Sequence, residues 1–212
     1  MVQKRVMVLD VDATFIQQEQ LDLLAEQAGA FDVVAEITQR MRRGEIEFAE
    51  SLRQRTKPLA GHPISILTDA QAQISLTEGA EELLDFAKQQ GWPVYLVSGG
   101  FHDLIDPFVR HLNIAGVRAN RLEIVGNTFT GEVLGEIIGR QGKADHLQQI
   151  ARDENVSAAQ TIAIGDGAND IDMVKAAGLG VAFGGSPALI EAADLALSGQ
   201  SLAELIPHLA GI

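Results

Sequence analysis

Four short apolar runs, VMVL at 6–9, VYLV at 94–97, TIAI at 161–164 and GVAF at 180–183, constrain the fold of this chain more than any other feature. None alternates between apolar and polar residues. A strand of that kind is covered on both faces, which is the situation of a strand inside a parallel sheet. LAL at 195–197 reads as a short edge strand. Helical patterns lie between the runs. Ala80, Leu83, Leu84 and Ala87 share one face of a predicted helix over 77–90, with Thr77 as its cap and Gly91 as its stop. Leu147, Ile150 and Ala151 share a face of a helix starting at Lys143 and running to 153, and a shorter helix covers 171–177 before Gly178. Strands alternating with helices predict an α/β fold: a Rossmann-like parallel sheet with helices on both faces.

Two segments depart from this rhythm. Residues 16–76 contain helical stripes and no strand run. Leu21, Leu24, Ala25 and Ala28 form one stripe, and Val34, Ile37 and Met41 another, with further helices expected over 47–56 and near 64–74. The expected division is a catalytic α/β core of residues 1–15 and 77–212, and a small all-helical cap of residues 16–76 inserted after the first strand as a hinged lid. Residues 121–138 carry a turn signal at Gly126-Asn127 between alternating residues, which predicts a β-hairpin excursion.

Composition removes several classes of function. A formal net charge of −13 argues against nucleic acid or an anionic membrane surface as a partner. With no cysteine, disulfides and thiolate catalysis are excluded, and the five scattered histidines offer no metal-binding spacing. No apolar stretch approaches the roughly 20 residues that span a bilayer, and residues 1–10 enter a strand rather than forming a signal peptide. A cytoplasmic location is the expectation. Oligomeric state is left open.

The chemistry sits at the ends of the runs. Asp10-Val11-Asp12-Ala13-Thr14 follows the first, Ser98-Gly99-Gly100 the second, and Gly165-Asp166-Gly167-Ala168-Asn169-Asp170 the third. Ligands of open α/β sheets bind beyond the carboxyl ends of the strands, so these segments converge on one edge. Carboxylates gathered there repel one another unless a cation lies between them, which points to a Mg²⁺ site and phosphoryl transfer. Asp10 can attack phosphorus, Asp12 can exchange a proton with the leaving oxygen and then with water, and Asp166 can complete the metal site. Asp170 can order a metal-bound water or serve the dipole of the following helix. Ser98 and its glycines can hold phosphate oxygens. A lysine at the positive end of a helix is out of place, so Lys143 is either an ordinary solvated residue or a counter-charge for Asp10 and phosphate. Phe48, Leu52 and Arg55 share a helical face, and spacing alone favours an arginine that snorkels to water.

These segments together resemble the phosphoserine phosphatases of the haloacid dehalogenase-like superfamily. The resemblance runs essentially end to end, through the two acidic clusters, the 44–55 segment ending in Arg55, Ser98-Gly99-Gly100-Phe101, Ala119-Asn120-Arg121-Leu122, Phe129-Thr130-Gly131 and Lys143. It implies Mg²⁺-dependent conversion of L-phosphoserine to L-serine and phosphate through an aspartyl-phosphate, the last step of serine biosynthesis. It also implies roles. Asp10 is nucleophile and metal ligand; Asp12 is general acid/base, with its backbone carbonyl on the metal; Asp166 is the third protein ligand. Ser98, Gly99, Gly100 and Lys143 bind phosphate, and Asn169 contacts the substrate site. Glu19 holds the substrate ammonium, Arg55 its carboxylate, and Phe48 closes over them, with Thr14 and Asp170 in support. Ala13 stands where the family usually has Ser, and Arg42 where it often has Met. Two alternatives remain at this level: a phosphatase or phosphotransferase for another small phosphorylated amino acid or alcohol such as homoserine, and an Asp-phosphorylated receiver module.

Overall fold

The computed structural model describes residues 4–211. Its seven-stranded sheet comprises β1 (Val6–Leu9), β2 (Val94–Phe101), β3 (Gly116–Val125), β4 (Thr128–Leu134), β5 (Thr161–Gly165), β6 (Leu179–Phe183) and β7 (Leu195–Leu197). The order is β4-β3-β2-β1-β5-β6-β7, parallel throughout except for the antiparallel β3–β4 edge. All four residues of β1, the central strand, are buried. Side chains alternate across it. Met7 and Leu9 join a cluster on one face, while Val6 and Val8 join another on the opposite face.

Four α-helices form the insert after β1: α1 (Gln20–Gln27), α2 (Phe31–Arg42), α3 (Phe48–Thr56) and α4 (Ser65–Gln71). The entrance and exit of this insert lie side by side, joined by a bridge between Ile16 and Leu76. The insert has its own apolar cluster, in which Leu24, Val34, Leu52 and Leu59 meet Phe101, Leu122 and Phe129 of the sheet's hairpin side. The remaining helices are α5 (Ala80–Gln90), α6 (His102–Val109), α7 (Arg140–Asp153), α8 (Ile171–Ala176), α9 (Pro187–Ala192) and α10 (Ile206–Leu209). Leu83, Ala87 and Ile105, from α5 and α6, cover the Met7 face, and Leu147, Met173 and Leu189, from α7 to α9, cover the Val8 face.

Three local expectations need correction. α5 begins at Ala80 behind Gly79, not at Thr77. Gly79 takes a left-handed φ of +77°, and a Cβ there would lie 2.3 Å from the Ala203 backbone nitrogen, so this close approach sets the entrance. α7 starts at Arg140, which puts Lys143 inside the first turn rather than at the helix start. The hairpin is less of an excursion than its turn suggested. β3 starts at Gly116, and its first half pairs in parallel with β2 before it bends into the hairpin.

The register brings the functional segments together. Leu9 stands level with Leu96 on one side and Ile164 on the other. Asp10 therefore emerges beside Ser98 and Asp166, each two residues beyond its level position, at the carboxyl edge of the sheet.

Candidate active site

Lys143 is the electrostatic centre of this edge. It is fully buried, with Nζ 2.6 Å from Asp10 Oδ2 and 2.7 Å from Asp170 Oδ1. Burial alone would pull the lysine pKa down, but Asp10 and Asp170 outweigh it and hold the ammonium charged. The lysine is thus not a solvated helix residue; the first turn of α7 delivers it between two buried carboxylates. Asp170, also fully buried, uses its second oxygen to accept from the Gly167 N–H at 3.0 Å. Glycine at 165 is required for this, because a Cβ there would lie 2.4 Å from the Asp170 carboxyl carbon.

Asp10, Asp166 and Asp170 each present an oxygen within 4.8 Å of the others. One lysine cannot balance three carboxylates. Burial and the neighbouring Asp170 push Asp10 well above the usual carboxylate range, and the same two causes push Asp166 up to about 6. An all-oxygen, electron-rich donor set under mutual repulsion fits a hard divalent cation. Thr14 is fully buried and donates to Asp166 Oδ1 at 3.1 Å, tying the first acidic segment to the second. Ala13, between Asp12 and Thr14, has a φ of +55°. A left-handed alanine costs about 1 kcal/mol, and here it turns the chain out of β1 so that Thr14 comes back onto Asp166.

Ser98 is fully buried, and its Oγ accepts from the Gly100 N–H at 2.8 Å, which leaves the hydroxyl hydrogen for a ligand. Phe48, the first residue of α3, rests on this loop: a Cβ on Gly99 would lie 2.7 Å from its ring. Asn169 is partly buried beside Asp170, with its carboxamide oxygen where a Cβ on Gly167 would fall.

Arg55 departs from what its spacing suggested. Only 7% exposed, it does not reach water; one terminal nitrogen is 3.4 Å from Thr38 Oγ1, and Nε is buried without a hydrogen-bond partner. The carboxylates that act on it most strongly are Glu19 and Asp22, followed by Asp12. Glu19 sits just before α1. Burial and Asp22 raise its carboxyl, while Arg42 and Arg55 lower it. Glu19 keeps an exposed outer side, so solvent screening leaves that rise with little energetic weight. Arg42, the departure noted in sequence, thus acts on the same acidic pair, Glu19 and Asp22, as Arg55.

The haloacid dehalogenase-like hydrolase family model matches residues 7–175, a span that holds every segment of this edge. The chain belongs to this family. Among curated proteins, it is 47% identical over 195 residues to phosphoserine phosphatase SerB2 of Mycobacterium tuberculosis, covering 92% of this chain and 48% of that one. It is 42% identical over 202 residues to the phosphoserine phosphatase of Lactococcus lactis, covering 95% and 94%. The chain therefore spans about half of the first relative and nearly all of the second. Among solved structures, it superposes with a TM-score of 0.92 on a phospho-aspartyl intermediate analogue of phosphoserine phosphatase, at 36% identity over 97% of this chain and 99% of that one. Sequence and fold together place it in the phosphoserine phosphatase branch of the haloacid dehalogenase-like hydrolases. That leaves the receiver module without support.

One residue at this haloacid dehalogenase-like site was not singled out from the sequence. Gln20, fully buried at the start of α1, donates from Nε2 to Asp12 Oδ1 at 2.6 Å. Nothing in the sequence signals it, since Gln20 lies among the polar residues Gln17, Gln18, Glu19 and Asp22 and ordinarily reads as solvated. Asp12 itself is pushed up to about 7 by burial and by Glu19, against the hydrogen bonds from Gln20.

Proposed function

We propose that this chain hydrolyses L-phosphoserine to L-serine and phosphate through an aspartyl-phosphate on Asp10, with Mg²⁺ as its metal. The observation that carries the substrate is Arg55, a buried guanidinium whose Nε has no partner and which feels the charges of Glu19, Asp22 and Asp12. Leaving such a group unpaired is costly unless a ligand anion completes it. An amino-acid phosphate supplies a carboxylate for Arg55, an ammonium for Glu19 and a phosphoryl group for the edge below.

In the first step an Asp10 oxygen bonds to phosphorus and the phosphorus–serine oxygen bond breaks. Asp12 gives its proton to the departing oxygen. In the second, Asp12 takes a proton from water as the water oxygen attacks phosphorus, and Asp10 leaves. A group that titrates at about 7 exchanges protons in both directions near neutral pH. Lys143, the Ser98 hydroxyl and the Gly99-Gly100 backbone hold the phosphoryl oxygens, and Asn169 lines their side. Asp10, Asp166 and the Asp12 backbone carbonyl would hold the Mg²⁺, which when bound draws charge from the phosphoryl oxygens. Asp170 keeps Lys143 in place. We take residues 16–76 as the cap over a core of residues 1–15 and 77–212, with Phe48 excluding water during the first step.

The test is phosphate release from phosphoserine, phosphothreonine and phosphohomoserine, with and without chelator, in wild type and Asp10→Asn. Phosphoserine should be the best substrate, turnover should stop with chelator and return with Mg²⁺, and Asp10→Asn should be inert. Full activity of Asp10→Asn would remove the nucleophile from this scheme.

A further inference from the structure

Gln20 is the first residue of α1, directly after Glu19, and both ends of its carboxamide are engaged. Nε2 donates to Asp12 Oδ1 at 2.6 Å, and Oε1 accepts from the Phe101 N–H at 3.0 Å. The partners dictate this orientation, because a backbone N–H only donates and a carboxylate only accepts. The amide also lies flat against Gly100: a Cβ there would come 2.3 Å from Nε2. Among the described residues, Gln20 supplies the only side-chain hydrogen bond to the Asp12 carboxylate. One side chain thus spans Asp12 and the end of the Ser98–Phe101 segment, and it is anchored in the helix that Glu19 precedes.

We propose that Gln20 is a positioning residue for proton transfer. By occupying Oδ1 it fixes the rotation of the Asp12 carboxylate and leaves Oδ2 as the oxygen that exchanges the proton with the serine oxygen. It does so from the same turn that meets the substrate ammonium, so seating α1 sets the substrate and the acid together. This rests on the reading of Asp12 as general acid/base. A carboxylate without the strap rotates about its last torsion and spends less time aligned, and loss of alignment of this kind slows a reaction by up to about 100-fold without weakening binding.

Two variants separate the ends of the strap. Gln20→Met loses both hydrogen bonds at similar volume. Gln20→Glu keeps an acceptor for the Phe101 N–H and loses the donor to Asp12. Each is compared with wild type in single-turnover phosphorylation by phosphoserine and by p-nitrophenyl phosphate, whose leaving group departs without a proton, with thermal melting to show that the variants are folded. Both variants should phosphorylate from phosphoserine about 10- to 100-fold more slowly, with KM for phosphoserine within about twofold of wild type, while the aryl ester slows by less than about threefold. A Gln20→Glu variant with wild-type rates would make Gln20 a structural strap to Phe101 and overturn the proposal. Equal slowing on both esters would overturn it too, since the effect would not pass through the acid. A wild-type protein inert towards phosphoserine would remove the underlying reading itself, an outcome visible before any variant is made.

Discussion

Replacing Lys143 by Met tests the charge balance on which the whole edge depends. Met retains most of the apolar stem and removes only the ammonium, so packing changes little. What remains is Asp10 and Asp170, fully or nearly fully buried and formerly 2.6 and 2.7 Å from the lost nitrogen, with Asp166 beside them. Removing one partner of a buried ion pair costs about 3–5 kcal/mol, mostly from the charge left behind. At roughly 2–4 °C per kcal/mol for a domain of this size, the melting temperature should fall by about 6–20 °C. Asp170→Asn in the same protein removes one stranded charge and keeps an acceptor for the Gly167 N–H, so it should restore about 1–2 kcal/mol. The assay is urea denaturation of parent, single and double variants at pH 7 with chelator, repeated with Mg²⁺. The loss should shrink at pH 5, because Asp10, already raised by burial and Asp170, takes up a proton more readily once the ammonium that lowered it is gone. If Lys143→Met stays within about 0.5 kcal/mol of the parent, as an exposed lysine would, the central role assigned to this ammonium is wrong.

Arg55→Met should lower kcat/KM for phosphoserine by about 30- to 1000-fold, the equivalent of roughly 2–4 kcal/mol for a desolvated charge contact. Phosphoethanolamine, which has the ammonium and lacks the carboxylate, should change by less than about threefold; equal losses would mean that Arg55 does not read the carboxylate. The free variant should be no less stable than the parent, because the guanidinium it loses is incompletely paired. In chelator, stability should fall as pH rises from about 4 to 7. Asp12 is raised to about 7 and Asp166 to about 6 from an ordinary 3.8, so the folded state holds protons that the unfolded state has released. Glu154, Asp172 and Glu204 are lowered, and they act only below about 4.5. His146, held below 6.5 by burial and Arg118, opposes the fall by a fraction of a proton. Asp10, Glu19 and Asp22 are raised as well and act in the same direction; with Asp12 and Asp166 partly open to water, the slope should be on the order of 1 kcal/mol per pH unit. Mg²⁺ should flatten it by competing with the protons, and a flat or rising profile in chelator would contradict the raised carboxyls.

Much of the sheet was legible because its cause is local. An unbroken run such as VMVL has only one comfortable environment, between two helical layers, and β1 is buried at every residue. The Gly126-Asn127 turn and the stripes of α1 to α3 were legible for similar reasons. Boundaries were less so. Thr77 has the chemistry of a helix cap, yet α5 starts behind Gly79 because Ser201 and Ala203, far along the chain, press against that glycine. The early start of β3 was hidden because its first half pairs with β2 in a register that nothing within residues 116–120 specifies.

The sequence by itself determined where the acids lie: Asp10, Ser98 and Asp166 follow buried strands, and parallel strands in register bring their ends to one edge. It also determined the class of chemistry, since carboxylates crowded at such an edge call for a cation. Which charges are actually taken out of water was decided only by the tertiary structure. Spacing left Lys143 open between a solvated residue and a counter-charge, favoured an Arg55 that reaches solvent, and did not single out Gln20. Each is buried because elements distant in sequence close over it: Lys143 by the ends of β1 and β5, Arg55 by the insert's own helices, and Gln20 by Asp12 and Phe101. Burial of a polar group depends on every segment packed around it, and no local pattern records that.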